Sequence, residues 1–388
     1  MINNKLNKYK KLKIYLNIIY TTLVTIFGFY TLINIFGIEI FELPLNEYIT
    51  IVAAFCFIYI IIYSLLFFIN IIFHEVGHLI FGLFAKLKFV SFNILGFTIS
   101  KHNNKLFLKR EKFIPGIYGY CNMETDDNID YECNKIKLYY LGGIIFHFIF
   151  IVANLIMFIF INNIYLDFIF IFNIFMNLYL LIYNILPCIH NSGAFSDGLQ
   201  IIYYLEDNNY IKLISKVNKL QRMLLNETEL KNIDSSFFTK PKTFNSLVDI
   251  LNGKIYIDYI MSKCKYKEAI NFCKKMLKDE NELLTNQDII TIKLQLILAT
   301  FYLNKNIYEI KDIWNDDIKK HVDLMSKVVP VYIGINYLYF SLIEKNNEIS
   351  NKYLNQFKKL NRKKYEKYQI DELEQLIFDV NKYNKKNH

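Results

Sequence analysis

Long apolar runs dominate the chain up to about residue 200, and from Leu199 onward apolar positions recur at helical spacing among abundant Lys, Glu and Asp. Four of the early runs, at about 14–38, 48–85, 136–161 and 166–187, reach the roughly 20 apolar residues that a helix needs to cross the hydrocarbon of a bilayer. The second exceeds one crossing, so its helix must tilt, project from the membrane or break. Residues 86–135 change character. Phe89–Ile99 shows partial alternation and β-forming residues, a polar turn follows at Lys101–Lys105, and Leu106-Phe107-Leu108 comes next, which predicts a β-hairpin. The expected fold class is mainly α: a polytopic four-helix membrane domain over residues 14–200 with a small β-hairpin insertion, then an α-helical cytosolic domain over 201–388.

Within that second domain, Lys265-Tyr266-Lys267-Glu268-Ala269, Lys305-Asn306-Ile307-Tyr308-Glu309 and Lys345-Asn346-Asn347-Glu348-Ile349 recur at roughly 40-residue steps beside helical segments. Stacked helical hairpins resembling tetratricopeptide repeats would give such a pattern, although their usual step is ~34 residues. An irregular helical bundle would give it equally, and either could serve a protein partner.

Charge orients the spans. The chain has 388 residues, is 53% hydrophobic and carries a formal charge of +9. Residues 1–13 hold Lys5, Lys8, Lys10, Lys11 and Lys13 and no acid, which keeps the N-terminus in the cytoplasm by the positive-inside rule. Glu39, Glu42 and Glu47, without Lys or Arg, mark the next loop as outer. Lys86, Lys88, Lys101, Lys105, Lys109, Arg110 and Lys112 return the chain to the inner side. No Arg-rich cluster or nucleic-acid-binding signature is present, so the basic excess reads as inner-loop charge and no nucleic-acid partner is expected. The cysteines Cys56, Cys121, Cys133, Cys188, Cys264 and Cys273 form no CxxC pair and read as reduced thiols. The first apolar run is too long for a signal-peptide core and reads as a retained anchor.

The chemistry sits inside the second run. From Tyr48 to Ala85 the only formally charged side chain is Glu75, flanked by His74 and His78. A carboxylate at membrane depth is costly unless paired, so it points to function. Residues four apart share a helix face, so both imidazoles can reach one metal while Glu75 stands beside them to handle a water proton. An unbroken helix would put His74 about 39 Å along from Tyr48, near the cytoplasmic edge where water can enter.

Two histidines leave a tetrahedral zinc needing a third protein ligand and one open position. Asp197 is the best candidate: it follows the fourth run, stands in a turn, and precedes Gly198. It could equally be the N-cap of the helix that begins there. Together, His74-Glu75-Val76-Gly77-His78, Asn184-Ile185-Leu186-Pro187 and Asp197-Gly198 resemble the site-2 protease family of intramembrane zinc metalloproteases. The resemblance covers about residues 48–200. It implies Zn2+ held by His74, His78 and Asp197, with Glu75 as catalytic base. The expected location is a bacterial cell membrane, with both termini cytoplasmic.

Two departures from that family stand out. The gap from Pro187 to Asp197 is longer, so the chain must loop more before the third ligand. Where the family often has Ala-Gly-Pro-x-x-Asn, this chain reads Gly142-Gly143-Ile144-Ile145-Phe146-His147. His147 at the Asn position either replaces that amide near the substrate carbonyl or bonds elsewhere; Asn184 is a second candidate for substrate or transition-state contact.

The resulting expectation is peptide-bond hydrolysis near the cytoplasmic face. Zinc at +2 with Asp197 and Glu75 ionised sums to zero, which suits a low-dielectric site. Glu75 would take a proton from water and pass it to the leaving amine, with zinc polarising the carbonyl. The substrates expected are membrane-embedded proteins or peptide precursors whose apolar segment can unwind, and the hairpin is either plain surface or an edge that pairs with them. Two rival readings remain. One is a membrane zinc peptidase of the heat-shock-protease group, with Glu111, Glu124 or Glu132 as third ligand. The other is a membrane scaffold or peptide-immunity protein whose metal is structural or absent.

Overall fold

The computed structural model describes residues 2–37, 43–102, 105–110, 117–124, 133–189, 194–206, 208–278, 283–362, 365 and 367–387. It is mainly helical, with a small four-stranded antiparallel sheet of order β3-β2-β1-β4. Helices α1 (Ile2–Phe36), α2 (Leu45–Phe84), α3 (Cys133–Phe160) and α4 (Ile164–Ile185) each contain a stretch long and apolar enough to cross a membrane. Many of their large apolar side chains, Phe57, Ile60, Ile159 and Phe160 among them, are exposed, as lipid-facing residues are.

The chain divides into two compact units, Met1–Ile94 with Gly116–Asn208, and Leu95–Pro115 with Asn209–His388. In the first, α2 is one unbroken helix of 40 residues, about 60 Å long at 1.5 Å per residue. The long second run therefore does not break at the His-Glu-x-x-His stretch. It ends where Lys86 turns left-handed (φ 60°), with Leu87 N–H bonding Gly82 C=O and Lys86 N–H bonding Leu83 C=O. This Schellman arrangement satisfies the last carbonyls. Asn163 caps α4 by accepting from the N–H groups of Tyr165 and Leu166. Phe172, Met176 and Leu180 of α4 form a buried apolar centre with Phe27 of α1 and Tyr59 and Tyr63 of α2.

The inserted region holds more strand than a single hairpin. The run Phe89–Ile99 is split by a two-residue turn, Leu95 (φ 46°) and Gly96 (φ 84°), into β1 (Lys88–Ile94) and β2 (Phe97–His102). Two successive positive φ values make the turn type that matches strand twist, and glycine takes the second without strain. β3 (Lys105–Arg110) pairs antiparallel with β2, Ile99 opposite Leu108. β4 (Gly119–Glu124) pairs antiparallel with β1, Phe92 opposite Cys121. The correction has a physical source: the apolar alternation of Val90, Phe92 and Ile94 resumes one residue out of phase at Phe97 and Ile99, and the interruption at Leu95-Gly96 is where the chain turns back.

Short α5 (Asp197–Glu206) completes the first unit, and α6 (Asn208–Leu225) leads into the second. The helices that follow are α7 (Leu247–Ser262), α8 (Tyr266–Lys278), α9 (Asn286–Asn304), α10 (Ile307–Ile313), α11 (Asp316–Met325), α12 (Val331–Leu338), α13 (Asn347–Lys358) and α14 (Lys367–Asn387). One apolar cluster centres on Ile257, Ile260, Cys273 and Ile292, another on Ile297, Phe301, Leu338 and Leu373. The motifs at 40-residue steps each fall at a turn with a left-handed residue: Cys264 (φ 57°), Lys305 (φ 52°) and Lys345 (φ 53°). Asn306 and Asn346 then cap the following helices.

Candidate metal centre

His74 and His78 lie one turn apart on α2, and α5 brings Asp197 to them. His74 Nε2 and His78 Nε2 are 3.1 Å apart, and Asp197 Oδ2 stands 3.3 Å from the first and 3.4 Å from the second. His78 and Glu75 are buried, and Asp197 is half-buried. His78 Nδ1 meets the backbone carbonyl of Tyr139 at 2.8 Å. A carbonyl can only accept, so this nitrogen carries a proton, and a neutral His78 offers its lone pair from Nε2. Burial works to raise the Asp197 carboxyl, but the facing imidazoles of His78 and His74, when protonated and without a metal, outweigh it and hold the group well below the usual carboxylate range.

These residues suit a metal. Asp197 Oδ2 is a buried oxygen with no hydrogen-bond partner, aimed at two ring nitrogens. Donors about 2.0–2.2 Å from a tetrahedral zinc stand roughly 3.3–3.6 Å from each other, close to the separations found here. Among the described residues, His74, His78 and Asp197 form the cluster able to hold an ion, and Glu124 is not part of it. Glu124 is buried at the end of β4, opposite Lys88. Glu111 and Glu132, the other candidate third ligands, lie outside the described residues.

Asp197 is free for this position because its neighbour does the capping. Ser196 Oγ accepts from the N–H of Leu199 at 3.3 Å and of Cys188 at 3.1 Å, and donates to the Leu186 carbonyl at 2.7 Å. An isolated bridge between Ile189 and Phe195 narrows the long Pro187–Asp197 connection below it. Gly198 is required on the other side: a Cβ there would stand 1.9 Å from the Ile185 carbonyl oxygen. Ser196 escaped the sequence reading, although a Ser two residues before a glycine at a helix start is an ordinary capping signal.

Glycines also set how closely α3 approaches α2. A Cβ on Gly77 would lie 2.5 Å from the Gly142 carbonyl oxygen, and one on Gly143 would lie 2.3 Å from His74 Cε1 and 2.7 Å from His78 Nε2. Gly119 of β4 closes over the acid, since its Cβ would meet Glu75 Cγ at 2.8 Å and Oε1 at 3.0 Å.

His147 is buried behind His74, with its Nε2 3.1 Å from His74 Nδ1, on the ring nitrogen that does not face Asp197. Its own Nδ1 lies 2.9 Å from Asn177 Oδ1. Asn184 sits half-buried in the last turn of α4. The buried amides Asn70, Asn173 and Asn177 were not singled out from sequence; the signal available was their polarity inside apolar helices, with Asn173 and Asn177 one turn apart. No family model, curated protein or solved structure matches the chain.

Proposed function

We propose that this chain is an intramembrane zinc metalloendopeptidase, similar to the site-2 proteases, which hydrolyses membrane-anchored proteins or small peptide precursors near the cytoplasmic face. The observation that carries the reading is the convergence of Asp197 Oδ2 on both imidazoles beside a buried Glu75. Three donors held by two helices leave one position of a tetrahedral site for water or substrate. Zinc, when bound, supplies a Lewis acid and brings the pKa of water down to about 7.

The protein's own part begins with Glu75. Packed under Gly119 in a poorly hydrated pocket, its carboxylate takes the proton of the attacking water and returns it to the leaving amine. The substrate must arrive with its peptide carbonyl released from helix hydrogen bonds. β4 offers a way to hold such a segment: it ends the sheet, and it passes directly over Glu75 at Gly119. An extended substrate reaching that edge at Gly119 would bring its scissile bond near the acid. Tyr118, which precedes Gly119 and is 45% exposed, would flank it. Tyr118→Ala is expected to change which peptides are cut while leaving zinc content unchanged, measured by mass spectrometry of products and metal analysis of the same preparations. An unaltered cleavage profile would remove the docking strand.

Both termini are read as cytoplasmic, and the helices α7–α14 as a module for a protein partner, built either of hairpins resembling tetratricopeptide repeats or as an irregular helical bundle. One feature favours a second reading, that of a scaffold without catalysis. The same 3.3–3.4 Å separations suit a protonated imidazole paired with Asp197.

Comparing the cellular peptidome under wild-type and Glu75→Gln protein separates the two. Glu75→Gln keeps the imidazoles and Asp197 and removes the base, so cleavage is expected to fall on the order of 10²–10⁴-fold, with intact precursors accumulating. Identical peptidomes, and an unaffected phenotype, would favour the scaffold.

A further inference from the structure

Behind His74 a line of amides, buried except for the half-buried Asn154, runs across α3, α4 and α2. Asn154 Nδ2 donates to the backbone carbonyl of Phe150 at 2.7 Å, a group that can only accept. That turns Asn154 Oδ1 toward Asn173, whose Nδ2 donates to it at 3.2 Å. Asn173 Oδ1 then accepts from Asn70 Nδ2 at 2.7 Å and from Asn177 Nδ2 at 3.1 Å. Asn177 Nδ2 also reaches Asn70 Oδ1 at 3.1 Å and the backbone carbonyl of Asn173 at 2.9 Å. With its NH2 committed in this way, Asn177 presents its oxygen to His147 Nδ1.

The polarity now passes through the rings. An amide oxygen only accepts, so His147 carries its proton on Nδ1 and, as a neutral imidazole, its lone pair on Nε2. That lone pair faces His74 Nδ1, which must donate. The lone pair of His74 is thereby left on Nε2, the atom that faces Asp197 Oδ2 and His78 Nε2. His78 obtains the same tautomer from the Tyr139 carbonyl. The backbone carbonyls of Phe150 and Asn173, which cannot flip as side-chain amides can, set the direction of the whole chain.

We propose that His147, oriented by Asn177, is a positioning residue that holds His74 in the one tautomer able to ligate a divalent cation. This rests on the zinc reading given above. Groups that hydrogen-bond a ligating imidazole on its far nitrogen fix its orientation and raise its basicity, and their loss typically costs 10- to 100-fold in metal affinity. The buried amides give His147 this direction without any ionised group in an apolar bundle, where an unpaired charge would be costly. His147 is then neither a ligand nor a substrate contact.

The test measures zinc affinity of the full-length protein in detergent by competition with a chromophoric chelator, alongside the visible spectrum of the cobalt-loaded form. His147→Leu fills the space without an acceptor and is expected to weaken zinc binding about 10- to 100-fold. His147→Gln, whose amide can accept from His74 and donate to Asn177, is expected to stay within about threefold of wild type, with an unchanged cobalt spectrum. Asn177→Leu, one bond farther back, is expected to weaken binding about tenfold, and it decides the matter if His147→Leu fails to fold. Wild-type affinity in both leucine variants would overturn the proposal. So would complete metal loss in His147→Gln, equal to that of His74→Ala, because it would make His147 a ligand. A wild-type protein with no zinc affinity would instead bring down the metal reading itself, and this proposal with it.

Discussion

Asp197→Ala is expected to leave a folded protein that no longer retains zinc. Two neutral imidazoles remain one turn apart, but the anionic donor that faces them among the described residues is gone, and with it the charge that offsets a divalent cation in a poorly hydrated site. Metal analysis should drop from about one zinc per chain to background, and peptide hydrolysis should vanish with it. Stability supplies an independent readout. Zinc at a thousandfold its Kd adds about 4 kcal/mol to the folded state, so metal should raise the melting temperature of the wild type and leave Asp197→Ala unmoved. Glu124→Gln should retain zinc as the wild type does, since Glu124 lies outside the cluster. The reverse result, zinc kept by Asp197→Ala and lost by a glutamate variant, would move the assignment to the heat-shock-protease group.

Adding one methyl group at the α2–α3 contact should be nearly as damaging, in two distinguishable ways. In Gly143→Ala the new Cβ would overlap ring atoms of His74 at 2.3 and 2.5 Å and His78 Nε2 at 2.7 Å. Those rings are anchored by His147 and by the Tyr139 carbonyl, so they can yield only by giving up their alignment with Asp197. Zinc binding is expected to fall at least about 100-fold, with the overpacking itself costing about 1–3 kcal/mol of stability. Gly77→Ala places its Cβ 2.5 Å from a backbone oxygen of Gly142, which no rotamer change relieves. The helices must separate, and the melting temperature should fall further than in Gly143→Ala. Equal zinc affinity in Gly143→Ala and wild type would contradict the packing described for this site.

Which features could be read ahead depended on how far apart their parts lie along the chain. His74, Glu75 and His78 required only helical pitch, and α2 places both imidazoles on one face as that pitch demands. The four apolar helices follow from run length. The β1–β2 break was legible only as a one-residue slip in the alternation, from Val90, Phe92 and Ile94 to Phe97 and Ile99 across Leu95-Gly96, and the sequence reading ran one strand through it. Asp197 stood between two readings that composition could not separate; the cap is taken by Ser196, and that depends on a hydroxyl reaching Leu186, Cys188 and Leu199 together. The role of His147 depended on partners from two other helices.

By itself, the order of residues determined the four apolar helices, the pair of histidines on one face, and the single acid between them, because each follows from spacing within a turn or a run of one helix. Only the tertiary structure decided that Asp197 meets those histidines, that glycines let α3 close against them, and that His74 turns Nε2 toward Asp197. Those outcomes depend on ångström-scale contacts between helices distant in the chain, and the hydrogen-bond direction that orients His74 starts from backbone carbonyls that every sequence possesses and none advertises.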